Sequence, residues 1–214
     1  MTGKFIITRD HLAQLGACKS GMGFFDKTYP EGKAEYQDML DKAVAGGHTD
    51  YAAWLLEKVG PTEDVLEVEE INSKELDIVF AGRIFAKLGI IVRRLIAGLG
   101  IKAGEGIEAG CGIKAGCGIK AGWGIKAGEG IKAGEGIKAG EGIEAGLGIE
   151  AGWGIKAGEG IKAGWGIEAG EGIKAGWEHG IYAGLRVKVT NREYRAIRAK
   201  NKPDNIMCGE WVEQ

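Results

Sequence analysis

The sequence predicts an α+β protein: a small N-terminal helical module, then a parallel β-helix, then short capping strands at the C-terminus. Three observations predict it. Isoleucine recurs at every sixth position from Ile101 to Ile173. Residues 1–61 carry apolar side chains at helical spacing between turn residues, and residues 186–214 abandon the hexad for a basic segment that closes in "NIMCGEWVE".

The hexads carry most of the prediction. Thirteen of them run without a break, and the chain holds 40 glycines. That much glycine would favour disorder, because glycine loses the most backbone entropy on folding, but a flexible linker does not hold a large apolar residue at a fixed phase. A period of six matches neither an α-helix nor a heptad. In the unit I-x-A-G-x-G, Ile and Ala lie two apart and share one side of a short strand, while the Lys or Glu between them takes the other. The two glycines are expected to supply turn conformations at the corner. One coil cannot bury its isoleucine, but stacked coils line Ile and Ala into continuous columns.

Three hexads per coil would stack residues 18 apart. The position after Ile then reads Lys102, Lys120, Lys138, Lys156, Lys174 on one face, and alternates Glu108, Lys126, Glu144, Lys162 on another. Alternating signs at ladder spacing favour this triangular coil over two hexads per coil. The "IKAGEGI" unit resembles repeats of β-helices, and its Ile-x-Ala-Gly order is more similar to the right-handed type of polymer-forming bactofilins than to acyltransferase hexapeptides. "LIAGLG" adds a degenerate unit upstream, and at "WEHG" the phase slips by two before "IYAGLRV" resumes it.

Upstream, Thr8 is placed to cap a helix carrying His11, Leu12 and Leu15, and Cys18, Met22 and Phe25 fall at i, i+4, i+7 before a Tyr-Pro-Glu-Gly turn. Tyr36, Met39, Leu40 and Ala43 share the face of a second helix. Asp50 is expected to cap a third, with Tyr51, Trp54, Leu55 and Val59 inward and Gly60-Pro61 as its stop. The organisation read from this is a helical module over 1–61, irregular first coils over 62–94, the repeat solenoid over 95–185, and a basic cap over 186–214. The module is expected at the open end of the solenoid, where a bare coil would expose strand edges.

In "LGACKSGMGFFDKTYPEG" followed by "DYAAWLL", residues 1–59 resemble small phage and prophage proteins in which such a module (ACxxGxxFFxxxYPxG) precedes Gly-rich hexapeptide repeats. The resemblance implies an accessory product with no assigned reaction, of the class that includes inhibitors of bacterial immunity such as anti-CRISPR proteins. Its partner would be a host protein or ribonucleoprotein complex.

Little in the sequence points to chemistry. His11, His48 and His179 are dispersed, and the cysteines (Cys18, Cys111, Cys117, Cys208) lack the spacing of a zinc or redox motif. Glycine spacings such as "GEGIKAG" lack the strand-loop-helix context of a nucleotide fingerprint. The expectation is no enzyme, no metal and no cofactor. With a formal net charge of −2, a start "MTGKFIITRD" unlike a secretory leader and no long apolar run, a protein of the bacterial host's cytoplasm with no membrane contact is expected.

The fifth hexad position is the expected contact site. It holds Glu in most repeats but Trp at Trp123, Trp153, Trp165 and Trp177, and a position that accepts Glu is not a dry one. These rings would anchor a foreign partner, or pack on the rest of the chain or on a second copy, so a homo-oligomer, a dimer first of all, is also expected. Charge is segregated: residues 62–77 are acidic and 186–202 basic. Arg192, Arg195 and Arg198, interleaved with Tyr194, are candidates for an acidic partner or a nucleic-acid backbone, or else face solvent or answer the acidic segment. The function expected is therefore a non-enzymatic phage-type binding protein that inhibits a host defence component. The alternatives are a self-assembling structural solenoid and a sponge for a small signalling nucleotide held between protomers.

Overall fold

A computed structural model describes residues 5–176, 178–185 and 192–213, without the side chain of Arg192. Four helices come first: α1 (Arg9–Gln14), α2 (Lys19–Thr28), α3 (Tyr36–Ala45) and α4 (Thr49–Val59). A small antiparallel pair, Ile6–Thr8 with Lys33–Glu35, ties α1 and α2 to α3. The side chain of Thr8 caps α1, accepting from the His11 amide. Tyr36, Met39, Leu40 and Ala43 are all buried, as the 3.6-residue spacing requires. One local expectation is corrected. α4 begins at Thr49 after an N-cap at His48, which leaves Asp50 in the first turn, where a carboxylate still complements the helix dipole. Tyr51, Trp54 and Val59 do pack inward against the helical core but are half-buried, and the fully buried face also takes in Thr49, Ala52 and Leu56 beside Leu55.

From Val65 onward the chain winds as a parallel β-solenoid with three faces. The first face is a seven-stranded sheet running from Val65–Val68 and Arg83–Ala86 through Ile101–Ala103 to Ile173–Lys174. The second face begins its regular strands at Ile107–Ala109 and the third at Ile113–Ala115. They form one larger sheet because Ile90–Ala97 turns the corner, pairing Ile90 with Ile107 and Leu95 with Ile113. Partners lie 18 residues apart, as in Ile119 with Ile101 and Ile137 with Ile119, so three hexads do make one coil. Ile161 pairs with Ile181, so the slip at "WEHG" is absorbed as a two-residue insertion within one coil.

Every hexad isoleucine from Ile101 to Ile167 is at most 2% exposed and its alanine at most 3%. Between them the Lys or Glu points outward, which is the period-2 pleat. The corners are also bonded. In each coil the fourth- and fifth-position amides donate to the coil before, as in Gly122 N–H to Ala103 O (3.2 Å) and Trp123 N–H to Glu105 O (3.2 Å). The isoleucine amide donates to the coil after, as in Ile101 N–H to Gly118 O (3.0 Å). Backbone hydrogen bonding between coils therefore continues from the strands into the corners.

Glycine has a different role from the expected one. Among the described residues the positive-φ glycines are Gly16, Gly32, Gly47, Gly60, Gly184 and Gly209, none of them in a regular hexad. The fourth-position glycine is needed because the backbone of the preceding coil lies against it: a Cβ on Gly140 would overlap the carbonyl oxygen of Gly122. The sixth position is looser, a Cβ on Gly136 meeting Gly154 O at 3.2 Å.

The helical core continues onto the first coils through Val79, Ala81 and Ile96. A buried carboxylate locks this junction. Asp77 accepts from Thr49 Oγ1 of α4 (2.6 Å) and from Arg93 Nε and Nη2 (2.7 and 2.8 Å) of the neighbouring strand. Gln37 of α3 adds a pair of bonds at the end of Asp77's own strand, Ile71–Phe80, donating to Val79 O (3.0 Å) and accepting from Ala81 N–H (2.9 Å). At the far end two short strands close the rod, as the expected capping strands. Ile206–Cys208 continues the second face and Glu210–Glu213 the third, with Trp211 Nε1 donating to Ala199 O (3.3 Å).

Two outcomes follow. Gly140→Ala should destabilise the rod far more than Gly136→Ala, while Ile137→Ala should cost about 2–5 kcal/mol, the usual range for a buried large-to-small change; thermal melts followed by circular dichroism measure all three. Asp77→Ala should loosen the helical region, read as faster limited proteolysis within residues 5–60 while the repeat stays protected.

Candidate binding surfaces

The 18-residue register sorts the outward side chains. Second-position residues stand in one column at the middle of each face, and fifth-position residues form three ridges at the corners. Each ridge leans over the strand that follows it, so a groove runs between ridge and column on each of the three faces.

The groove of the first face encloses about 910 Å³. Its column is Lys102, Lys120, Lys138, Lys156 and Lys174, continued at the start of the rod by Phe85 and then Glu67; Arg83 lines the groove beside it, and Glu135 and Glu171 stand on the ridge. All five lysines are exposed, and none forms an ion pair among the described residues. Lys102 is held over the Phe85 ring, 5.0 Å from its centroid. Trp153 stands on the ridge of this groove, 58% exposed.

On the second face the balance reverses. Its groove, about 740 Å³, presents Glu105, Glu108, Glu141, Glu144, Glu159 and Glu178 against Lys126 and Lys162. Trp123, 53% exposed, stands on this ridge. The third face is balanced: Arg94, Lys114, Lys132 and Arg198 meet Glu129, Glu150, Glu168 and Glu193 in a groove of about 660 Å³. Lys132 and Glu150, cross-strand neighbours, pair at 2.7 Å. The rod is thus one cationic, one anionic and one neutral side, a division that the near-zero net charge conceals.

The tryptophans expected to act together stand on three different ridges, their spacings of 30 and 12 residues not being multiples of the coil. Trp177 lies outside the described residues, as do Arg186, Lys188 and the side chain of Arg192. Trp165 stands on the third-face ridge, 40% exposed, with its ring 5.3 Å from that of Tyr194. Arg198 lines the same groove and is the cross-strand neighbour of Glu168. Arg195 lies apart from this groove's lining; it is half-buried with its aliphatic stem over Gly184. The acidic segment at the start and the strand Ala196–Ala199 of the basic one sit at opposite ends of a seven-strand ladder, about 29 Å apart at ~4.8 Å per step. Among the described residues the two segments do not answer each other within one chain.

The helical region holds one smaller apolar pocket of about 230 Å³ between Leu12, Cys18, Phe24, Met39, Tyr51 and Trp54. At its rim the exposed Cys18 thiol is shifted down, first by its hydrogen bond with Ser20 and then by the Gly21 amide. Burial shifts the Cys117 thiol up. Burial also raises Tyr36 above the ordinary phenol range, its hydroxyl donating to Gly60 O. Among the described residues no three His, Cys, Asp or Glu side chains converge as metal ligands, and no helix is long and apolar enough to cross a membrane.

Comparison with known proteins touches only the helical region: residues 1–60 match the family model of the YdhT N-terminal domain. No curated protein and no solved structure matches the chain.

Sequence reading passed over Tyr194 as a ring partner of Trp165 and the Asp77 junction. The 18-residue period did reveal the all-lysine column, but the ridge carboxylates that make the second face anionic were not counted with it. The two shifted thiols make a direct check: iodoacetamide at neutral pH should alkylate Cys18 well before Cys117, measured by peptide mass spectrometry, because only the thiolate reacts.

Proposed function

We propose that this chain is a non-enzymatic binding protein that holds a protein partner against the third face of its rod, and that the partner belongs to a host defence system. The observation that carries the contact is the Trp165–Tyr194 ring pair, partly exposed beside Arg198 in a groove where cations and carboxylates balance. Paired aromatics with an arginine are the composition of an interface hot spot. The charge balance favours a protein over nucleic acid as occupant, because binding a phosphate backbone depends on an excess of cations that Glu168 and Glu193 remove here. A rod of stacked coils supports this role, since it presents its side chains on a scaffold that needs no ordering on contact.

The phage counter-defence part of the proposal draws on the sequence resemblance around "ACKSGMGFFDKTYPEG" and on a surface organised for contact. Trp165→Ala and Tyr194→Ala should each weaken partner capture by about thirtyfold, the ~2 kcal/mol of a hot spot. Binding should change little when salt is raised about tenfold. Affinity capture from a bacterial host with wild-type and variant baits, followed by titration with the purified partner, makes the measurement. Recovery of no defence component, or capture indifferent to both substitutions, would refute it.

A further inference from the structure

We infer that copies of this chain associate side by side, the lysine face of one against the carboxylate face of the next. This goes beyond the third-face contact and does not depend on it. Three observations carry it. The first is complementarity within a single chain: Arg83 and five lysines stand against two carboxylates in one groove, and six carboxylates against two lysines in another. Like charges stacked at neighbouring ladder positions repel, and a second copy is the one partner certain to carry the opposite array at the same concentration.

The second observation is commensurability. Both faces are built from the same stacked coils, so their side chains repeat at the same step of about 4.8 Å. Two rods laid side by side set lysines opposite the carboxylate-bearing coils of Glu105 with Glu108, Glu141 with Glu144, and Glu159, while the coil of Trp123 and Lys126 falls between them; because the middle column alternates Glu108, Lys126, Glu144 and Lys162, its match is preserved by a shift of two coils. An unrelated acidic surface has no reason to share that repeat. The third is that each of the two grooves carries one ridge tryptophan more than half exposed, Trp153 beside the lysines at 58% and Trp123 beside the carboxylates at 53%. Such rings supply apolar burial at the centre of a contact whose charges set orientation and register.

The contact joins two different surfaces, so it is heterologous. Each bound copy offers a fresh lysine face and a fresh carboxylate face, and assembly closes into a ring or propagates as an array. The third face, with Trp165 and Tyr194, stays open in either case.

Sedimentation velocity on the full chain at low ionic strength tests this. The expected result is a mass that rises with protein concentration and returns to the monomer when salt is raised to about 0.5 M, where screening lengths fall to a few ångströms. The triple variant Lys120→Glu/Lys138→Glu/Lys156→Glu should be monomeric alone, and so should Glu108→Lys/Glu141→Lys/Glu144→Lys. Mixed, the two should form a one-to-one complex, because each retains one native face and the two reversed faces complement each other. Circular dichroism on each variant verifies that the rod is intact. A wild-type monomer at every concentration overturns the inference, as does association that survives either reversal, or a mixture that stays apart. Retention of nucleic acid by monomeric wild-type protein, lost in the lysine variant, would overturn it in favour of a polyanion on that face. Each of these outcomes leaves the Trp165 capture experiment to be judged separately.

Discussion

The inward isoleucine and alanine columns hold everything else in place. A single hexad contributes one large apolar side chain and cannot exclude water from it, so stability arises only when coils stack and each isoleucine is covered from above and below. Burial at this level, with no isoleucine from Ile101 to Ile167 more than 2% exposed, requires neighbouring backbones to lie at full ladder contact around the whole perimeter, corners included. Corner contact leaves no room for a Cβ at the fourth position, and the repeat therefore carries glycine where the preceding carbonyl comes closest. Composition that looks like a linker is in this setting a packing requirement.

The same constraint liberates the surface. Because the interior is settled by Ile, Ala and Gly, the second and fifth positions are free of any folding duty, and their identity varies without disturbing the ladder. What varies is charge and aromatic content, distributed so that one side is cationic, one anionic and one balanced. A rod with three unlike sides can meet its own kind along two of them and a foreign protein along the third.

The helical region is joined to this rod by more than apolar contact. Asp77 is buried with ligands from α4 and from the adjacent strand, and an unpaired carboxylate there would be costly, so the docking geometry is held to one solution. The closing strands do the corresponding work at the other end, where Ile197 and Ile206 extend the interior column past the last regular hexad.

How much of this could be read in advance depended on whether a property repeats. The coil length was legible, because alternating signs at Glu108, Lys126, Glu144 and Lys162 favour neighbours 18 residues apart, and those are the residues that pair. The buried face of α3 was legible from spacing alone, and so was the exposure of the ridge tryptophans, since Glu shares their position. The reason for glycine was misread: turn geometry and backbone proximity both select glycine, and sequence does not distinguish them. Sequence by itself determined the period, the inward columns and the outward positions, because these follow from side-chain alternation and water exclusion within a repeat. Only the tertiary structure decided that the tryptophans stand on separate ridges, that Trp165 meets Tyr194, and that Asp77 joins α4 to the rod, since each brings together residues related by the winding of the coil or by docking between unlike elements, for which local spacing carries no signal.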